Sequence, residues 1–176
     1  MYVSARRGMV PGESRGVERL DDPPAETPPV ATADALDGDV SVTLYLRSSA
    51  TPPAKRRQVA TRARFDQLVA HDVLPTVSVE GWQRHAEGRD FDETHALDLY
   101  DEFSAAVGGR GHLDPFFRER NAGFGGRSVV LPVLCLVLRR EGTVTGLYPC
   151  WHDGTHWSVE DGLRALETGD DAENLG

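Results

Sequence analysis

Residues 128–138 read SVVLPVLCLVL, a run that is apolar on both alternating faces of an extended chain. A strand with two apolar faces has to be covered on both, so this segment predicts the central strand of a sheet enclosed by helices or chain termini. Pro132 within it has no N–H to give to a ladder, so one end of that strand is expected to be unpaired or bulged. Residues 139–142 (RREG) then turn the chain into residues 143–148 (TVTGLY), expected as an antiparallel partner.

The segments before it set the topology. Val40–Arg47 (VSVTLYLR) alternates and is β-branched, which predicts a strand. Residues 48–53 (SSATPP) form a turn, with Thr51 able to cap and Pro53 suited to the first turn of a helix. Thr61, Phe65 and Leu68 recur at helical spacing to about His71, and residues 76–82 (TVSVEGW) alternate again. Strand, helix and strand in this order predict a parallel pair with a right-handed crossover. After a polar loop at 83–91, Ala96, Tyr100, Phe103 and Val107 mark a second helix over 93–107, stopped by Gly108 and Gly109. Residues 112–117 (HLDPFF) read as a short extended piece, and 118–127 (RERNAGFGGR) as a mobile glycine-rich loop. Residues 155–158 are again extended, and Ser158 with Asp161 three residues on reads as a capping box, opening a last helix to about Glu167. The order β-α-β-α-β-β-α predicts an α/β two-layer sandwich, with a mixed four-stranded sheet and helices mainly on one face.

This domain is expected to span residues 40–167. Residues 1–39 hold Pro11, Pro23, Pro24, Pro28 and Pro29 without any apolar period, the composition of a disordered acidic arm, and the polar residues 168–176 are expected to fray. The formal net charge is −9, and Lys55 is the only lysine among 19 basic residues. Such a surface repels itself in dilute buffer, whereas molar salt screens it within about 3 Å, so a salt-adapted cytosol is the expected setting. No apolar run reaches membrane-spanning length, and no apolar segment follows Arg6 and Arg7, which predicts a cytoplasmic protein.

The segments VTLYLRSSATPP, QVATRARFDQL and VSVEGW, followed by LDPFF, LPVLCLVL, YPC and SVEDGLRALE, resemble a family of small acidic proteins of haloarchaea. The resemblance covers residues 40–167. Some members of that family carry a helix-turn-helix label, which implies DNA binding; the resemblance brings no catalytic residues with it.

Several clusters could carry chemistry. Cys135, Cys150, His152 and His156 are the ligand types of tetrahedral zinc, although their spacing lacks the paired C-x2-C of finger motifs, and Cys135 in an apolar strand equally reads as a core residue. Lys55 with Arg56, Arg57, Arg62 and Arg64 on the first helix, joined by Arg47, could form a positive stripe for phosphates, or simply a solvated face. A helix flanked by strands does not match helix-turn-helix geometry. Gly123–Gly126 is too short for a phosphate loop and precedes a strand. Ser48–Ser49, Asp92 with His95, and Asp153 with His156 are the local candidates for acid–base or nucleophilic work, and no spacing forces them to converge. Trp82, Trp151 and Trp157 could form an aromatic surface for a partner. The resulting expectation is a non-enzymatic interaction or regulatory module without a cofactor, acting on another protein or a second copy. A DNA-binding regulator and a zinc module are the alternatives.

Overall fold

The computed structural model describes residue 36, residues 39–123 and residues 126–176. Its elements are β1 (Val40–Arg47), α1 (Pro52–Ala70), β2 (Val77–Trp82), β3 (His85–Ala86), α2 (Phe91–Ala106), a 3₁₀ turn (Arg110–His112), β4 (Arg118–Asn121), β5 (Arg127–Val130), β6 (Leu134–Arg140), β7 (Thr143–Tyr148), β8 (Cys150–His152), β9 (Thr155–Trp157) and α3 (Val159–Thr168). The main sheet has the order β2-β1-β6-β7, with β1–β2 parallel and the other pairs antiparallel. It is the mixed four-stranded sheet expected, with β1 bounded as the alternation predicts.

Alternation along the central strands sorts the core onto two faces. Val42, Leu44, Leu134, Leu136 and Leu138 meet Phe65 and Leu68 of α1 and Leu163 and Leu166 of α3. Tyr45, Cys135, Val137 and Leu147 meet Leu99, Tyr100 and Phe103 of α2 instead. Two helices share one face, as expected, but α2 covers the other, so the expected two-layer sandwich is closed by a third layer. The reason is visible in β6, which is buried from Leu134 to Leu138 and therefore needs cover on both sides.

The predicted single strand over 128–138 is two strands in different sheets. It breaks at Leu131–Pro132–Val133; β5 pairs with β3 and β4, and β6 with β1 and β7. The break leaves carbonyls without ladder partners, and side chains and backbone from elsewhere supply donors. Trp82 Nε1 donates to Pro132 O (3.0 Å), while Arg47 N (3.0 Å) and Gln58 Nε2 (2.9 Å) donate to Val133 O. Arg47 Nη2 donates to Leu131 O.

Three further expectations are corrected. Residues 118–121 of the predicted loop form β4 against β5, while Phe124 and Gly125 lie outside the described residues. Residues 112–117, expected as an extended piece, instead close a 3₁₀ turn (Arg110–His112) and continue as turns, and Phe117 fills the core below. The C-terminal segment docks along the free edge of β7: Leu175 N donates to Thr145 O (2.9 Å), Leu147 N donates to Asn174 Oδ1 (2.9 Å), and Ala172 is buried. Of the expected arm only Leu36 and Asp39 are described, and Leu36 N donates to Val73 O (2.9 Å).

Candidate functional site

Helix α1 turns Gln58, Thr61, Phe65 and Leu68 to the sheet. Its outer face carries Lys55, Arg56, Arg57 and Arg62, all exposed, beside Ala60, Ala63 and Val59, which is 60% exposed. None of these four cations has a carboxylate partner among the described residues. Elsewhere Arg89, Arg110, Arg127, Arg139 and Arg164 each hold a carboxylate.

The start of α1 also differs from those of the other helices. Asp90 caps α2 and Ser158 caps α3 through side-chain oxygens, and each of these helices has two acidic residues in its first turn. Helix α1 has none, and Thr51 makes no side-chain cap bond. Pro52 and Pro53 remove two of the N–H groups that a helix start leaves unpaired, and Pro53 one that a cap would serve. Lys55 stands in that first turn, with Arg56 and Arg57 immediately after. A cation there opposes the helix dipole by about 0.3–1 kcal/mol. The same field favours an anion at this end of the helix.

Arg64, expected in the same stripe, has a structural role. It donates to both oxygens of Glu167 (2.7 and 2.6 Å) and to Glu160 (2.6 Å), tying α1 to α3. Those bonds, Glu167 foremost, raise its pKa above the usual arginine value. Lys55, Arg56, Arg57 and Arg62 therefore form the free set, without Arg64.

The three tryptophans do not share a surface. Trp82 is buried and stacks on Tyr45 (centroids 4.8 Å apart), Trp157 is half-buried against Tyr148, and Trp151 is 40% exposed. Trp82 is drawn inward because its indole N–H is needed at the Pro132 break.

Cys135 and Cys150 are both buried free thiols in the α2-side core. Burial pushes the Cys150 thiol up to about 11 and raises Cys135 well above the usual range. Cys150 Sγ contacts Leu147 O (3.0 Å). The β8–β9 register pairs Trp151 with His156 and His152 with Thr155, which puts the two histidines on opposite faces of the ribbon. Among the described residues no group of three or more His, Cys, Asp or Glu side chains is placed to hold a metal ion.

Of the candidate acid–base residues, Asp92 and His95 line one cavity beside Glu80 and Trp82, and Asp153 is exposed. His95 stacks on Phe91 (6.5 Å) and His156 on Phe116 (5.0 Å), while Ser48 lies beside Gly81 at the ends of β1 and β2. Sequence reasoning missed Gln58, which donates to Arg47 O and Val133 O, and Arg84, whose carbonyl accepts from Leu131 N. One signal was available for Gln58: it is the only amide on the inward stripe 58, 61, 65, 68, and Gln58 is 1% exposed.

The fold and this face define a mixed α/β domain that presents one basic helix on an acidic protein. The sequence profile described as a helix-turn-helix domain matches residues 34–171, and the chain belongs to that family. Among the described residues each α-helix is separated from the next by strands, so no two of them form the bihelical unit of that description. No curated protein and no solved structure matches the chain. No helix among the described residues is long and apolar enough to cross a membrane.

Proposed function

We propose that the chain is a non-enzymatic DNA-binding regulator that docks the outer face of α1 on duplex DNA. The observation that carries this reading is the unpaired set Lys55, Arg56, Arg57 and Arg62, whose first member stands where it opposes the helix dipole. Family membership supports the same class of activity. A major groove about 12 Å wide admits one helix, so a second helix is not needed for contact. The composition supports a salt-rich cytosol as the setting. Phosphate contacts are weakened there, and exposed Val59, Ala60 and Ala63 would add apolar contact that salt does not screen.

Fluorescence anisotropy with a generic duplex, across salt concentrations at which circular dichroism reports a folded chain, tests this. Three to four phosphate contacts give a slope of log affinity against log salt of about −3. Each Arg→Ala change at 56, 57 or 62 should flatten it by about 1. An unchanged slope in the triple variant, or no binding at any permissive salt, refutes the reading.

A protein-interaction reading keeps one specific support. Strand β2 ends the sheet with Ser78, Glu80 and Gly81 exposed, whereas the opposite edge is covered by the C-terminal segment. Pairing of two copies along β2 predicts a dimer by light scattering, and a monomer at about 100 µM, far above typical dimer dissociation constants, removes that reading.

A further inference from the structure

The carboxyl ends of the parallel strands β1 and β2 meet the N-terminus of α1 at one corner of the sheet, the place where open α/β sheets form ligand crevices. Arg47 ends β1, and Arg84 lies two residues beyond Trp82, its partner in register. Leu131 fixes both arginines: its carbonyl accepts Arg47 Nη2, and its N–H donates to Arg84 O (2.9 Å). Ser48 N donates to Trp82 O (2.9 Å), closing the same corner. Burial, and then the charge of Arg84, hold the Arg47 pKa below the usual arginine value.

The protein has 28 carboxylates, yet neither Arg47 nor Arg84 has a carboxylate partner among the described residues. Arg47 Nε is buried and has no hydrogen-bond partner among them. The hydroxyls of exposed Ser48 and Ser49 stand at the same turn, and Thr51 is not spent on the cap. Helix α1 adds its positive end and Lys55. An oxyanion at this corner would accept charge-assisted bonds from guanidinium groups that hold no carboxylate. A tetrahedral dianion suits two forks and several hydroxyls, whereas a carboxylate has oxygens for only one fork.

We propose that this corner is an oxyanion site that binds a phosphate group through Arg47 and Arg84, with Ser48, Ser49 and the start of α1 completing the shell. The phosphate belongs either to a small phosphorylated ligand or to a nucleic-acid backbone. The site does not depend on the docking of α1 on DNA, since it is probed without DNA.

The test is a titration with inorganic phosphate followed by ¹H–¹⁵N correlation spectra, with potassium chloride holding ionic strength constant and acetate as a control. The expected result is saturable shifts at residues 47–51 and 83–85 with phosphate and none with acetate. Arg84→Gln changes an exposed side chain and should weaken phosphate at least about tenfold, the scale of one lost charge-assisted bond. Arg47→Lys keeps the charge and should weaken it too, because the fork is lost. The same variants in the DNA assay separate the sources. A slope flattened by about 1 in Arg84→Gln assigns the oxyanion to the DNA backbone, and an unchanged slope assigns it to a small ligand. Shifts no larger with phosphate than with chloride, or full phosphate affinity in Arg84→Gln, would overturn the proposal.

Discussion

Gly162→Ala should destabilise the protein, against the usual preference for alanine in a helix. Gly162 is buried at the fourth position of α3 and faces the sheet. A Cβ built there lies 2.7 Å from Cδ2 and Cε2 of Tyr148 and 3.0 Å from Cδ2 of Leu136. Carbon atoms pack at about 3.5–4.0 Å, so the new methyl overlaps the ring by close to 1 Å. Tyr148 has little freedom to yield. Its hydroxyl donates to Ala172 O (2.8 Å), the ring is 1% exposed, and Trp157 packs edge-on against it. Alanine gains about 1 kcal/mol of helix propensity over glycine. Overpacking a tight core costs about 1–3 kcal/mol, and the rigid ring puts this site at the upper end. The net expectation is a loss of about 1–2 kcal/mol, seen as a Tm lower by several degrees in calorimetry at constant salt. A Tm raised by the propensity gain would show that α3 does not sit against Tyr148 as described.

Other consequences follow from the same geometry. Arg64→Ala removes the link from α1 to Glu160 and Glu167; for a partly exposed network the loss is about 1 kcal/mol, and urea midpoints should show it shrinking as salt rises. Bonds from the Ser158 hydroxyl and then its backbone N–H hold the Asp161 carboxyl below the usual range. Its stabilisation is therefore complete above the unfolded pKa of about 4 and lost as pH falls through the folded value, so Asp161→Asn should flatten the midpoint-versus-pH curve below about pH 4. With Cys150 at about 11 and Cys135 fully buried, neither thiol should react with an aromatic disulfide reagent near pH 8 until denaturant is added. Rapid reaction of the native protein would contradict the buried placement.

Local chemistry made much of the scaffold legible. The alternation of Val40–Arg47 and the helical spacing of Thr61, Phe65 and Leu68 gave the strand–helix–strand unit, because period and crossover handedness are properties of short segments. The capping box at Ser158 was readable for the same reason, since both its hydrogen bonds close within three residues. The basic run on α1 was visible as composition, but its state was not. Arg64 differs from Arg62 only in facing Glu160 and Glu167, roughly a hundred residues away, and nothing local separates the two.

The sequence by itself determined the periods, the parallel crossover, the doubly apolar central strand and the positive start of α1. All of these depend on neighbours within about one element's length. Only the tertiary structure decided that residues 128–138 change sheets at Pro132, that α2 closes the second face, that the C-terminal segment covers β7, and that Trp82 turns inward to serve a carbonyl. Each of these choices satisfies a backbone group or an apolar face with a partner far along the chain, and the sequence holds no local record of which partner that is.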